Sequence, residues 1–128
     1  MIVSTITDGF GNQLFMYACG YAMARRHKEK LALDTTYLAT SNLREYELGG
    51  LRVEYDKLYS INKSLPYFLK VVLRKVIHAC MFMRFKQYRE RQAWHYDGAL
   101  LQTIGSYRLR GYWQCEKYFK DYRSEILK

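Results

Sequence analysis

The sequence predicts an α/β domain that opens with a strand, a glycine turn, a helix and a second strand. Three observations carry that expectation. Ile2 to Thr7 is largely β-branched, Gly9 and Gly11 flank Phe10 just before a long apolar-periodic stretch, and Lys30 to Asp34 turns strand-like again after that stretch ends in cations. Strands that alternate with helices in this way pack as a doubly wound, mostly parallel sheet.

Ile2 to Thr7 reads as a short buried strand. Asp8-Gly9-Phe10-Gly11 reads as a tight turn, with Asn12 as the N-cap of a helix from Gln13 to about His27. Leu14, Phe15, Tyr17, Ala18, Tyr21 and Ala22 surround much of that helix, so it is expected to be largely buried. Arg25, Arg26, His27 and Lys28 crowd its last turn, where cations favour the negative end of the dipole.

After Thr35 the pattern weakens. Arg44 to Leu51 and Val53 to Tyr55 suit strands around a Gly49-Gly50 turn. Ser64 can cap a helix that tolerates Pro66 in its first turn. Leu65, Phe68, Leu69, Val72, Val76, Ala79, Cys80 and Met83 recur on one face of it, expected to meet the core. Lys70, Arg74 and His78 lie opposite, expected as a basic outer face. Gln92 to Gln102 holds a short extended piece, Tyr107 to Gln114 a strand, and Glu116 onward a last helix with Tyr118, Tyr122 and Ile126 four apart. That helix reaches Lys128 with no glycine, proline or polar tail, so the chain reads as part of a longer protein.

The 128 residues suit one domain, 1–128, and 49% apolar composition with one proline excludes a disordered tail or a fibrous repeat. The net charge of +9 is local. Met1 to Asn62 balances seven basic against seven acidic residues, whereas Lys63 to Arg91 sets eight basic residues against Glu90 alone. Such a segment can bind nucleic acid, lie on an anionic membrane or simply be solvated. Tyr67, Phe68, Phe82, Phe85 and Tyr88 could stack on bases, but Phe68 belongs to the expected core face, and no nucleic-acid-binding motif accompanies them.

Cys19, Cys80 and Cys115 are far apart, without CxxC spacing and away from His27, His78 and His95, so they read as reduced thiols in the core of a cytosolic protein, and no metal site is expected. Lys70, Arg74, Lys75 and His78 interrupt the longest apolar stretch, which therefore does not span a membrane. The start lacks the pattern of a signal peptide.

Three features could carry chemistry. The Gly9-Phe10-Gly11-Asn12 turn feeds a helix N-terminus, which suits an anion. As a dinucleotide fingerprint it has Leu14 where a small residue is needed, although Asp34 stands where a ribose contact would fall. By spacing alone an ordinary βα turn is the commoner outcome. Gly111-Tyr112-Trp113-Gln114 would suit a sugar if exposed and the core if buried. The basic helix is the third. Glu45 and Glu47 flank Tyr46 as a solvated pair, and DxD, HExxH, GxSxG and Walker A patterns are missing.

The stretch Gly9-Phe10-Gly11-Asn12-Gln13-Leu14-Phe15-Met16-Tyr17-Ala18-Cys19-Gly20 resembles the start of the bacterial α-1,2-fucosyltransferases of glycosyltransferase family 11, which begin GGLGNQMFQYAFG. The resemblance continues through Leu31-Ala32-Leu33-Asp34, Tyr37 and Arg44-Glu45-Tyr46-Glu47-Leu48, and returns at Gly111 to Phe119, similar to GYFQSEKYF. Asp8 stands where glycine is common, Cys19 where phenylalanine is, and Cys115 where serine or asparagine is. The family's donor signature, HxRRGDY, follows that last block and is not in these residues.

The resemblance implies the Rossmann-like N-terminal half of a GT-B-type enzyme. It implies inverting, metal-independent transfer of fucose from GDP-fucose to the 2-hydroxyl of a galactoside in surface polysaccharide synthesis, with no cofactor. Gly9, Gly11, Asn12 and Gln13 would lie at the donor, Gln13 with the option of packing under the turn, and Trp113 and Gln114 on the acceptor side. It supplies no general base. Its partners would be GDP-fucose, a galactose-containing glycan and the missing C-terminal half, without nucleic acid. Lys70, Arg74 and Lys75 would face an anionic inner membrane from the cytoplasmic side, and the 128 residues alone would be inactive. The competing classes are a basic α/β module for nucleic acid or anionic membrane and, third, a dinucleotide-binding domain.

Overall fold

A computed structural model describes residues 1–91 and 95–127. Five strands, β1 (Ile2–Thr5), β2 (Leu31–Asp34), β3 (Lys57–Tyr59), β4 (Lys86–Arg89) and β5 (Tyr107–Arg110), form one parallel sheet in the order β3-β2-β1-β5-β4. Helix α1 (Phe10–Arg26) covers one face and α3 (Tyr67–Arg84) the other, while α2 (Thr36–Ala39) and α4 (Arg123–Ile126) are single turns. The mixed α/β architecture agrees with the expected Rossmann-like sheet.

Alternation along the strands sorts the two layers. Ile2, Leu31, Leu33, Tyr107 and Leu109 pack with α1 in the larger core, and Ser4 Oγ donates to the Met16 carbonyl at 2.7 Å. Val3 and Ala32 meet Met81 and Phe85 on the α3 side. Close approach of α1 depends on Gly20: a Cβ there would stand 2.7 Å from Ser4 Cβ. The tight helix–strand contact that a small residue at position 14 would supply is thus made further along the helix.

Several expectations are corrected. Helix α1 begins at Phe10, with Gly9 extended at the N-cap, so Asn12 lies in the first turn and caps nothing. Buried Gln13 instead ties the turn to the segment after α2: its amide donates to the carbonyls of Asp8 and Glu45 and accepts from the Glu47 N–H. The second corner of the sheet is β3 at Lys57–Tyr59, not strands at Arg44–Leu51 and Val53–Tyr55; Leu48–Gly50 is a 3-10 turn. Strand β4 was not foreseen, β5 stops at Arg110, and the last helix is broken into two 3-10 turns before α4. Of the extended piece at Gln92–Gln102, residues 92–94 lie outside the described residues, and Gly98–Gln102 is a 3-10 turn capped by Asp97. Lys128, at the end of the expected last helix, also lies outside them.

Helix α3 is turned opposite to its expected orientation. Of its residues only Met81 is buried, at 2% exposure, while Phe68, Val72, Val76 and Met83 face solvent. The inward line is Arg74, Ile77, His78 and Met81. Arg74 lies over the Tyr37 ring and His78 reaches Thr36 and Asp34, so polar partners on β2 and α2 hold the polar side of the helix. Of the cations expected to face outward, Lys75 does; Arg74 points inward, and Lys70 Nζ donates to the Lys63 carbonyl. Cys19 is buried as expected, Cys115 half-buried, and Cys80 exposed instead of in the core.

Candidate functional site at the carboxyl edge of the sheet

A parallel sheet binds ligands outside the carboxyl ends of its strands, where the strand order reverses. Here the chain runs from β1 outward to β3, crosses to β4 at the opposite edge and returns inward as β5 on the other side of β1. A cleft of about 540 Å³ opens at that edge, lined by residues that follow β1, β2, β4 and β5. Its cations are Arg44, Arg89 and Arg110, and its carboxylates Asp8 and Glu90.

Each charge is held by local structure. Arg89 and Arg110 end neighbouring strands. Arg110 donates to the Tyr37 hydroxyl at 2.9 Å and lies over its ring, with Arg74 also over that ring and the His78 ring 4.7 Å away. Arg44 lies against Gly9, where a Cβ would come within 3.0 Å of its guanidinium. Glu90 is committed to the protein: it accepts from the N–H groups of Tyr112 and Trp113 at 3.2 and 3.0 Å and so fixes the loop after β5. Asp8 has φ of 62°, the left-handed region that favours glycine, and its carboxylate pushes the Tyr112 phenol up. Thr5 also lines the cleft, and its Oγ1 is buried with no partner among the described residues.

The turn of β1 and the loop of β5 meet beside this cleft. Gln114 donates its side-chain amide to the Asn12 oxygen. The first turn of α1 leaves the N–H groups of Phe10, Gly11 and Asn12 without intrahelical acceptors. Gly11 is exposed, and a Cβ there would meet nothing within 4 Å. Gly9, Gly11, Asn12 and Gln114 are therefore brought together. Gln13 is wholly buried under the turn and Trp113 is 1% exposed, packed edge-on against Tyr118. Trp113 therefore belongs to the core and does not face an acceptor.

Beneath the cleft lies a buried polar cluster. Arg108 donates to Asp34 at 3.0 Å, and Thr36 donates through both its N–H and its hydroxyl to the same carboxylate. Because the Thr36 proton goes to Asp34, the His78 Nε2 at 2.7 Å is the donor to the Thr36 oxygen. Burial alone would raise the Asp34 carboxyl, but hydrogen bonds from His78 and Thr36 and the charge of Arg108 outweigh it and hold it below its ordinary value. Asp34 is thus consumed by the fold and is not free for a ribose.

Arg44, Arg89 and Arg110 were missed as site residues. Arg89 lies within the basic segment and Arg110 directly before the Gly111 block; both take their place in the cleft from strand ends that the sequence alone does not mark. Among the described residues no group of three or more His, Cys, Asp or Glu could hold a metal ion.

No protein-family profile matches the chain, and no solved structure matches it. Two curated proteins of Escherichia coli do. An alpha-1,2-colitosyltransferase is 27% identical over 136 aligned positions, covering 98% of this chain and 43% of that protein. The O-antigen biosynthesis glycosyltransferase WbnK is 40% identical over 60 positions, covering 43% of this chain and 20% of that protein. The chain thus spans less than half the length of either relative, and both of them are glycosyltransferases.

Proposed function

We propose that the chain is the N-terminal, Rossmann-like half of a GT-B-type glycosyltransferase, and that the carboxyl-edge cleft takes part in binding the diphosphate of a nucleotide-sugar donor. The observation that carries this is the convergence of Arg44, Arg89 and Arg110 beside the glycine turn, in a chain similar along 98% of its length to a glycosyltransferase. Departure of a nucleoside diphosphate places growing negative charge on phosphate oxygens, and fixed guanidinium groups stabilise that charge without reorganising. The N–H groups of the first α1 turn add to the same field.

In its finer form the reaction is inverting, metal-independent transfer of fucose from GDP-fucose to the 2-hydroxyl of a galactoside in surface polysaccharide synthesis. The blocks at Gly9–Gly20 and Gly111–Phe119 support the fucosyl donor, and the α-1,2 linkage in the relative's name supports the position of transfer. That name also favours a second donor sugar, colitose. The 128 residues alone are expected to turn over neither donor, because the relative is more than twice as long.

Calorimetric titration of the chain with GDP, GDP-fucose, GDP-colitose and NAD tests the site. Binding of the guanosine diphosphates, weakened about tenfold or more by Arg110→Ala or Arg89→Ala as expected for a charged hydrogen-bond donor, supports donor recognition. Preference for NAD, or binding unaffected by both substitutions, overturns it.

A further inference from the structure

Helix α3 presents its most apolar side to solvent. Phe68, Val72, Val76, Ala79 and Met83 follow one another at three- and four-residue intervals and make one uninterrupted stripe. Phe68 is 71% exposed and Met83 87%, with Phe82 at 72% beside them. The stripe lies opposite Met81 and His78, which face the sheet, and no described element covers it. A contiguous apolar face of this kind on a soluble domain marks a contact surface.

The surroundings of the stripe select its occupant. No Asp or Glu occurs between Lys57 and Arg89, and Lys63, Lys75, Arg84 and Lys86 are exposed around the helix. A second copy docked on the stripe by a two-fold axis would oppose one cationic segment with another and find no carboxylate in it. An anionic lipid surface answers both properties: the apolar ridge enters the acyl boundary while the flanking cations stay with the headgroups. No described helix is long and apolar enough to cross a membrane, so α3 would lie in the plane of the surface.

We propose that the outward face of α3 docks the chain on an anionic lipid bilayer, with Phe68, Phe82 and Met83 inserted and Lys75 and Arg84 at the headgroups. This surface is independent of the sugar or nucleotide taken by the cleft. It also differs from the contact expected from the sequence, in which the cations alone faced the membrane: Arg74 is spent on Tyr37, and the apolar side leads.

The test is co-sedimentation with vesicles of phosphatidylcholine and phosphatidylglycerol in equal parts, against vesicles of phosphatidylcholine alone. A solvatochromic label on exposed Cys80, in a Cys115→Ser background, reports insertion in parallel. The expected result is partition to the anionic vesicles with a blue-shifted label, lowered roughly thirtyfold by Lys75→Gln with Arg84→Gln, at about fivefold for each basic residue lost. Val76→Glu with Met83→Glu, both at exposed positions and checked for an unchanged thermal melt, is expected to abolish it. Equal partition to both vesicles, no partition, or a self-association removed by Val76→Glu with no vesicle binding would each overturn the proposal. So would insertion retained in the double Glu variant.

Discussion

Gln114 reaches back across 102 residues of chain to donate its side-chain amide to Asn12. The bond ties the loop after β5 to the first turn of α1, the two segments that flank the point where strand order reverses. With its oxygen occupied, the Asn12 amide is left with its N–H groups as donors. Asn12→Ala and Gln114→Ala are each expected to lower stability by about 1 kcal/mol. Urea unfolding of both and of the pair should show losses that do not add, with a coupling of about 0.5 kcal/mol or more. Fully additive losses would mean that the two side chains act separately. Asn12→Ala should also weaken GDP binding more than Gln114→Ala, since only Asn12 lies on the glycine turn.

The pair Asp34–Arg108 is a second long-range polar contact of another kind, buried at both ends. A buried charge that loses its partner is strongly destabilising. Asp34→Asn keeps the shape and removes the charge, leaving Arg108 beside a neutral amide with Gln87 as its remaining side-chain partner. The expected loss is about 3 kcal/mol or more, read from the urea midpoint. Replacing both partners together, as Asp34→Leu with Arg108→Met, should recover most of it. A double variant worse than Asp34→Asn would show that the network supports more than the pair itself.

The same carboxylate sets a pH dependence with a definite sign. Asp34 is held below its ordinary value in the fold, so the folded state binds its proton less readily than the unfolded chain. Its contribution is complete above the unfolded value of about 3.9 and is lost as pH falls through the folded value. The stability gap between the native chain and Asp34→Asn should therefore be full at neutral pH and shrink progressively in the acid range. Unfolding curves collected from pH 7 downward check this; a gap that widens on acidification would contradict it.

The first third of the fold was legible because local signals and packing agree there. Ile2–Thr5 and Leu31–Asp34 are buried where their patterns place them, and the glycine turn joins β1 to α1 as expected. Helix α3 shows where such legibility ends. Its periodicity correctly gives a helix and an apolar side, but the choice of inward side was decided by partners distant in sequence: Asp34, Thr36 and Tyr37 accept His78 and Arg74. Strand β4 was hidden for a related reason, since Lys86 and Arg89 look like a charged surface run until β5 pairs with them. The turn residues of the candidate site were visible as a motif, whereas the arginines of the cleft gain meaning only from the strand order. Trp113 was ambiguous in sequence, and packing of its ring against Tyr88 and Tyr118 buries it.

Three glycines should respond differently to one added methyl group, and the contrast separates packing from ligand approach. At Gly20 a Cβ would stand 2.7 Å from Ser4 Cβ and 3.2 Å from Leu31 Cδ1, so α1 must lift from the sheet. Gly20→Ala is expected to cost about 1–3 kcal/mol as overpacking. At Gly111 a Cβ would lie 2.4 Å from Glu90 Cβ, beside the carboxylate that fixes the loop, and Gly111→Ala should be at least as damaging. At Gly11 the protein offers no obstacle within 4 Å, and a helical alanine is favoured over glycine by up to about 1 kcal/mol. Gly11→Ala should leave the thermal melt unchanged or raise it. If a diphosphate closes on the first turn of α1, the same substitution should weaken GDP binding, because the methyl group then occupies space that the ligand needs. A stable Gly11→Ala variant with undiminished GDP affinity would move the phosphates away from this turn and toward the arginines alone.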